Sequence, residues 1–202
     1  TEGPGGVKLS GLFVFLKKAL FPRIITCDKI EKKNRSAAKM RIEKLLTAMM
    51  EYDHGDVPRI QHFVKVYEFA RMIGLMEGLD EKTQFTLESA AVVHDIGIHI
   101  SEQKYGSSSG KYQELEGPAE AKKLLDGLEW PADVTERVCY LVGHHHTYHD
   151  MDGMDYQILV EADFLVNLFE DKVSPEGCRN AYHKIFRTES GKRLYRTMYP
   201  TV

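Results

Sequence analysis

A His-Asp pair, His94-Asp95, stands at the end of an apolar run and two residues before Gly97. Adjacent residues on a helix point about 100° apart, so one ion can take both side chains only where the helix ends, and glycine favours such a break. A histidine 32 residues before His94, His62, and an aspartate 68 residues after Asp95, Asp163, also stand among apolar neighbours. Two imidazoles and two carboxylates are therefore expected to converge in a core, which is typical of a metal site.

Taken one at a time, these residues can also be accounted for without a metal. His62 lies in line with Val66 and Phe69 at helical spacing, and a lone histidine there is most often a core residue with a hydrogen-bond partner. For Asp163 the alternative is a salt bridge to a core arginine, because an unpaired carboxylate is costly to bury. One ion accounts for all four burials together. Two nitrogen and two oxygen ligands suit Mn²⁺, Fe²⁺, Co²⁺, Ni²⁺ or Zn²⁺ and leave coordination positions for water and substrate.

Helical periodicity accounts for nearly all the apolar residues, so the sequence predicts an all-α fold in a single domain. We expect residues 1–35 to form an N-terminal tail with a short amphipathic segment, and residues 36–202 to form the helical domain. The helix from Val57 to Gly74 is apolar on nearly all sides and is expected to be buried. The predicted helices span 36–52, 57–74, 81–95, 117–127, 131–142, 155–171 and 175–187, with a loop at 98–115 and a histidine-rich turn at 144–149.

The composition narrows the classes of function. A formal net charge of −3 gives no basic surface of the kind that binds nucleic acid polymers, although local cations could still hold a small anionic substrate. The three cysteines are far apart and form no C-x-x-C motif, which fits a reducing cytoplasm better than a disulfide framework. The apolar stretch Leu12–Leu16 is too short for a membrane span, and lysines follow it, unlike a secretory signal. The sequence leaves the oligomeric state open, a homodimer included.

The pattern resembles the HD-domain superfamily of metal-dependent phosphohydrolases, in which a histidine, a His-Asp pair and a distant aspartate follow one another on an all-α bundle. The resemblance covers residues 59–167, through Arg59-Ile60-Gln61-His62, His94-Asp95-Ile96-Gly97 and Glu161-Ala162-Asp163. It implies an HD-like helical bundle in which a divalent metal, Mg²⁺ included, is bound by His62, His94, Asp95 and Asp163. It also implies a phosphate ester as the substrate, very often a nucleotide.

Two positions depart from the pattern of relatives that hold two metals. Those relatives have lysine after His-Asp-Ile-Gly, where this chain has Ile98, and a histidine four residues before a later glycine, where this chain has Gln113. The paired histidines that help to hold their second ion resemble His144 and His145, and a solvated polar turn is the alternative interpretation. Because an amide oxygen binds transition metals more weakly than imidazole, we expect one tightly bound ion.

Other residues near the His-Asp pair are candidates for the chemistry. Asp95, as a metal ligand that can also accept a proton from water, would couple metal and base. His99, with Glu102 beside it, is a candidate general acid or base on the leaving group. The alternative interpretation is that His99 and Glu102 are ordinary loop residues and that the basic residues nearby are surface cations. The candidate phosphate-binding cations are Arg59, Lys104 and Lys111.

Three functions are compatible with these residues. The first is hydrolysis of a phosphate ester, a nucleotide or related small phosphorylated metabolite, in which the metal lowers the pKa of a bound water and polarises a phosphoryl oxygen. The second is a catalytically weak or inactive metal-containing module that binds and senses a nucleotide, which the residues Ile98 and Gln113 favour. The third is a helical interaction protein with buried polar pairs, which predicts no stoichiometric metal.

Overall fold

Capping side chains mark where two helices of this chain, each carrying or preceding a candidate site residue, begin. In the computed structural model, which describes residues 38–200, the side chain of Asp56 accepts a hydrogen bond from Arg59 N at 3.2 Å. Asp80 accepts hydrogen bonds from two backbone N–H groups of its own helix, both at 3.0 Å. These carboxylates satisfy N–H groups that a first helical turn leaves unpaired. Both helix starts agree with the sequence prediction.

The secondary structure of residues 38–200 is helical, without a strand, and the described residues from Ile42 onward form one compact unit. The predicted all-α, single-domain fold is therefore confirmed. The predicted N-terminal tail lies outside the described residues, and its division from the helical domain at residue 35 stays a prediction. The helices are α1 (38–52), α2 (Val57–Glu77), α3 (Glu81–Val93), α4 (Ile98–Tyr105), α5 (Gly110–Gly127), α6 (Ala132–Val142), α7 (Met154–Glu170), α8 (Pro175–Ile185) and α9 (Glu189–Met198).

The predicted loop at 98–115 is wrong. These residues form α4 and the first part of α5, and only 106–109 separate the two helices. Helix α5 begins at Gly110 rather than Gly117, so Pro118 lies inside it. Gly106 ends α4 with a φ of 63°, the left-handed conformation that glycine adopts without strain. The glycine and serine residues of this segment therefore mark a short turn between two helices.

Two further helix predictions need correction. Helix α2 continues past Gly74 to Glu77, and it is not buried on all sides. Met72, Leu75 and Met76 are 36%, 54% and 46% exposed, so its last turns present apolar side chains to solvent. Helix α9 was not predicted, because only three of its ten residues, Leu194, Tyr195 and Met198, are apolar, so the helical pattern is too short to stand out.

Helix α7 packs against four other helices and is largely buried. Four of its apolar residues are fully buried, Ile158, Leu159, Ala162 and Leu165. It contacts α2, α3, α8 and α9. Although α7 is largely apolar, none of the helices described within 38–200 has the length and hydropathy needed to cross a bilayer. Within the core, α7 places Asp163 against His62 of α2 and His94 at the end of α3.

Position 97, two residues after the His-Asp pair, needs glycine because there is no room for a side chain, and not because of its backbone conformation. Its φ of −72° is one that any residue adopts. A Cβ atom there would lie 2.8 Å from the carbonyl oxygen of Gln113 and 2.9 Å from Cα of Gly117. The turn that carries the pair thus packs directly against the backbone of α5. A side chain at this position would push α5 away from the turn.

A buried carboxylate, Glu161, ties α7 to the start of α9. Its side chain is fully buried, and Oε1 accepts hydrogen bonds from the backbone N–H of Arg187 at 2.6 Å and of Thr188 at 2.9 Å. Oε2 accepts a hydrogen bond from the Thr188 hydroxyl. Because Glu161 lies two residues before Asp163, these bonds help to fix the position of the helix that carries the predicted metal ligand.

Replacement of Gly191 by alanine should destabilise the protein. An added Cβ atom would overlap Oε2 of Glu161, whose carboxylate is held in place by four donors, so we expect a loss of about 1–3 kcal/mol in the free energy of unfolding. Gly127→Ala is the matched control, because a Cβ atom there meets nothing within 4 Å. Urea unfolding of both variants tests this expectation, and equal stabilities would contradict it.

Candidate metal centre

Three histidines use Nδ1 to contact a group that only accepts hydrogen bonds. Nδ1 of His94 and Nδ1 of His145 lie 2.9 and 2.8 Å from backbone carbonyl oxygens three residues earlier. Nδ1 of His62 lies 2.7 Å from Oε2 of Glu170. Nδ1 therefore carries a proton in all three rings, and Nε2 of each neutral ring keeps a free lone pair.

The Nε2 atoms of His62 and His94 face each other at 3.3 Å in the core. Oδ2 of Asp95 lies 3.5 Å from each of these nitrogens. Oδ1 of Asp163 lies 3.2 Å from His62 Nε2 and 3.6 Å from His94 Nε2. The four residues predicted as metal ligands, here called the primary cluster, are thus brought together by α2, the turn after α3, and α7.

The surroundings of Asp163 bear on the two interpretations of this residue, a metal ligand or a partner in a structural salt bridge to arginine. Its side chain is 5% exposed, and Oδ1 accepts a hydrogen bond from Nδ2 of Asn167 at 2.9 Å. Within residues 38–200, no arginine or lysine forms an ion pair with it, so the alternative of a core arginine finds no support there. Its charged contacts are His62 and His94, the two imidazoles that would share an ion with it.

The electrostatics of the primary cluster follow from these contacts. Burial opposes ionisation of Asp163, but hydrogen bonds with His62 and His94 outweigh it and hold the pKa of this carboxyl well below its usual range. The pKa of Asp95 is lowered in the same way, with burial outweighed by His94 and His145. Burial also disfavours a charged His62, yet its hydrogen bond to Asp163 and the charge of Asp95 raise its pKa to about 9.

These shifts show that the cluster attracts positive charge. Both carboxylates are ionised at neutral pH, and the raised pKa of His62 places a proton on its Nε2 atom beside them. A divalent ion would replace that proton and satisfy both imidazole lone pairs and both carboxylates. The donor set and its protonation therefore fit the metal that the sequence predicts.

A second group of possible ligands, here called the secondary cluster, shares Asp95 with the first. The ligand atoms of Asp95, His145 and His146 all lie within 4.8 Å of one another. Oδ1 of Asp95 is 3.4 Å from Nε2 of His145, yet the buried Nε2 atoms of His145 and His146 form no hydrogen bond. Burial, reinforced by His145, lowers the pKa of His146 to about 4, so this ring is neutral at pH 7. Two imidazoles whose Nε2 atoms have no hydrogen-bond partner, beside a carboxylate, fit a second cation.

The secondary cluster differs by one residue from the predicted pair of His144 and His145. Nδ1 of His144 lies 2.7 Å from the carbonyl oxygen of Tyr140, and its ring stacks on the Tyr140 ring with centroids 4.2 Å apart. The structure brings His146 into the cluster in its place. Three consecutive histidines occupy one turn, so small differences in its path decide which two of them point inward.

Gln113 lies on α5, the helix that contacts the histidine turn. It is buried, and its Oε1 atom has no hydrogen-bond partner, while Nε2 donates to the carbonyl oxygen of Ser108 at 2.8 Å. One turn earlier on α5, a Cβ atom on Gly110 would lie 2.6 Å from the ring of His146. The same face of α5 therefore carries Gln113 and contacts the histidine turn. Whether one ion or two bind tightly stays a prediction.

The predicted acid or base His99 and the predicted cation Arg59 belong to one network. Nη1 of Arg59 lies 2.8 Å from Nδ1 of His99, and Nη2 lies 2.7 Å from Oε1 of Glu102. Nε2 of His99 lies 2.9 Å from Oδ1 of Asp53, a buried carboxylate. Arginine only donates, so Nδ1 of His99 accepts from Arg59 while Nε2 donates to Asp53. His99 thus links a buried carboxylate to Arg59, with both ring nitrogens engaged.

The two predicted phosphate-binding lysines lie on the surface around the α4–α5 turn. Nζ of Lys104 is 2.5 Å from Oε2 of Glu116 and the side chain is 48% exposed. Nζ of Lys111 lies 5.8 Å from the centre of the Tyr112 ring. Neither lysine contacts a residue of the primary cluster.

Sequence reasoning missed three residues that contact or extend the clusters. His146 was missed because the register of the histidine run is set by tertiary packing. Asn167 and Glu170 could have been found, since they follow Asp163 by four and seven residues, the spacing that keeps side chains on one face of a helix.

Replacement of Asp163 by asparagine should weaken metal binding by more than about a hundredfold. The substitution removes one negative charge from the primary cluster and keeps the size of the side chain. Mutation of residues that only hydrogen-bond to a metal ligand already weakens metal binding about 10–100-fold, so the loss of a ligand should cost more. Asp171→Asn, an exposed carboxylate just beyond the same helix, is the control. Elemental analysis of untagged, folded, dialysed protein measures the effect. Full occupancy in Asp163→Asn protein would contradict the four-ligand site.

Metal affinity should rise with pH up to about 9, the pKa of His62. Because this pKa is raised, His62 of the metal-free protein is protonated at pH 7, and an entering ion must displace that proton. We expect affinity to increase about tenfold per pH unit between pH 7 and pH 8.5. Anaerobic titration calorimetry with Mn²⁺, in two buffers of different ionisation enthalpy, gives both the affinity and the protons released. An affinity that does not change over this interval would refute the assignment.

Comparisons with known proteins agree with this geometry. The family model described as HD domain matches residues 59–179, which include the whole primary cluster. A solved structure of a predicted HD superfamily hydrolase from an uncultured Thermotogales bacterium is similar in fold, with a TM-score of 0.59 and 23% sequence identity over 78% of this chain and 84% of that one. No curated protein matched the chain. Because the family model covers more than half of the sequence, the chain belongs to the HD domain family of metal-dependent phosphohydrolases.

Proposed function

We propose that this protein hydrolyses a small phosphate ester with the help of a divalent metal held by His62, His94, Asp95 and Asp163. The observation that carries the proposal is the approach of the two Nε2 atoms to 3.3 Å, with a carboxylate oxygen within 3.6 Å of both on each aspartate. A nucleotide is the substrate class that the family resemblance favours.

Asp95 has the most exposed side chain of the four predicted ligands. The side chains of His94 and Asp163 are 0% and 5% exposed, whereas that of Asp95 is 21% exposed. Water and substrate therefore approach from the side of Asp95. A divalent ion bound there would lower the pKa of a water molecule and polarise a phosphoryl oxygen.

The two oxygens of Asp95 have different neighbours, which suggests how a proton is moved. Oδ2 faces the imidazoles of His62 and His94, while Oδ1 faces Nε2 of His145 at 3.4 Å. Oδ1 accepts a hydrogen bond from the attacking water and orients it. The lone pair on Nε2 of His145, which has no hydrogen-bond partner, then receives the proton.

The basic side chains expected at the phosphate are largely neutralised by carboxylates. Arg59 pairs with Asp56 at 3.1 Å and with Glu102 at 2.7 Å, and Lys104 pairs with Glu116. Of the three predicted cations, only Lys111 has no carboxylate partner among residues 38–200. This observation, with glutamine at position 113, favours a second candidate function, a metal-containing module that binds a nucleotide with slow or no turnover.

Phosphate release from a panel of nucleoside monophosphates, sugar phosphates and other small esters distinguishes the two functions. The untagged protein is assayed with Mn²⁺, Co²⁺, Ni²⁺, Zn²⁺, Fe²⁺ or Mg²⁺. We expect release that requires metal and that falls at least about a hundredfold in Asp95→Asn protein, in which an amide replaces the carboxylate that orients the attacking water. Asp171→Asn protein serves as the control and should retain wild-type activity. Protein that binds metal and a nucleotide but releases no phosphate from any ester would support the sensing module instead.

A further inference from the structure

One face of α7 carries three polar residues directed at the metal centre. Asp163, Asn167 and Glu170 are spaced by four and three residues, so they line the same side of the helix. Asn167 donates to Asp163 Oδ1 at 2.9 Å, and Glu170 contacts His62. One helix therefore carries the predicted ligand Asp163 and also contacts a second predicted ligand, His62, at its Nδ1 atom.

The imidazole of His62 is held at both ring nitrogens by this helix. Nε2 lies 3.2 Å from Asp163 Oδ1, and Nδ1 lies 2.7 Å from Glu170 Oε2. A carboxylate on Nδ1 keeps the proton on that nitrogen and turns the lone pair of Nε2 toward the other ligands. It also prevents rotation of the ring about its bond to Cβ.

The position of Glu170 is unfavourable without these contacts. It is the last residue of α7, where the helix dipole disfavours negative charge, and its neighbour Asp171 is acidic as well. Two positive or donating groups from α2 compensate: Nδ1 of His62 and the ammonium group of Lys65, which pairs with Oε1. Each oxygen of the carboxylate thus has its own partner on α2.

We propose that Glu170 is a positioning residue of the metal centre. Its carboxylate fixes the tautomer and the orientation of His62, so that Nε2 of His62 can bind the ion. The inference rests on the proposed function, because it takes His62 as a ligand. The alternative is that Glu170 only joins α2 to α7 through Lys65. In that case the loss of either partner of the ion pair would have the same effect.

Three variants separate these two roles of Glu170. Glu170→Ala removes the hydrogen-bond acceptor of His62, Glu170→Gln keeps an acceptor oxygen without the charge, and Lys65→Met removes the ion pair but leaves the carboxylate on His62. Glu68→Gln, which removes an exposed carboxylate elsewhere on α2, is the matched control. Affinity for Zn²⁺ is measured by competition with a chelating dye. Long-range proton–nitrogen NMR spectra of the Zn²⁺-loaded protein report which nitrogen of His62 carries the proton.

We expect Glu170→Ala to weaken Zn²⁺ binding about 10–100-fold and to expose the His62 Nδ1 proton to fast exchange with water. Glu170→Gln should recover part of the affinity, which also covers the case in which the alanine variant does not fold. Lys65→Met and Glu68→Gln should change the affinity by less than about fivefold. Unchanged affinity in both Glu170 variants, or an equal loss in Lys65→Met, would overturn the positioning role while the wild type still bound Zn²⁺. A wild type that binds no Zn²⁺ would overturn the proposed function itself, and this inference with it.

Discussion

Two carboxylates and two imidazole lone pairs meet at one buried point, and this concentration of negative and electron-rich atoms is the constraint on which the structure depends. Only one proton fits between the Nε2 atoms of His62 and His94 at 3.3 Å, and the carboxylates of Asp95 and Asp163 both stay ionised beside it. An apolar core does not tolerate such a group without compensation. A cation provides that compensation, and the surrounding helices hold the ligands where a cation can reach them all.

Helix α7 shows how one element serves both the fold and the centre. Glu161 accepts hydrogen bonds from backbone N–H groups at the start of α9 and so belongs to the fold. Asp163, half a turn later, faces His62 and His94 instead, and its Oδ1 atom accepts a hydrogen bond from the side chain of Asn167. These two acidic residues therefore have different roles, one in the fold and one at the metal centre. The side of the helix on which each residue lies determines its role.

Much of this arrangement could be predicted from the sequence, because the informative residues break an otherwise clear pattern. An aspartate in the middle of an apolar helix and a His-Asp pair at the end of another are costly in a core, so their convergence was expected, and their spacing resembled the HD family. Helix starts at Asp56 and Asp80 were also predictable, since capping is a local property.

Where prediction from the sequence failed, tertiary packing was the reason. The segment from Ile98 to Leu115 was predicted as a loop from its glycine and serine content, yet four residues suffice for the turn because Gly97 and Gly117 let α5 approach closely. His146 rather than His144 faces Asp95, since stacking on Tyr140 takes His144 away from the cluster. Neither the approach of α5 to Gly97 nor the stacking of His144 on Tyr140 can be predicted from the periodicity of the local sequence.

The position of the bound metal is the property on which the proposed function depends most, and anomalous X-ray diffraction from crystals grown with Mn²⁺ measures it directly. We predict a strong anomalous peak about 2.0–2.3 Å from Nε2 of both His62 and His94 and from a carboxylate oxygen of both Asp95 and Asp163. A crystal with no peak at this point, or with manganese only at exposed groups such as His149 and Asp150, would contradict the central claim.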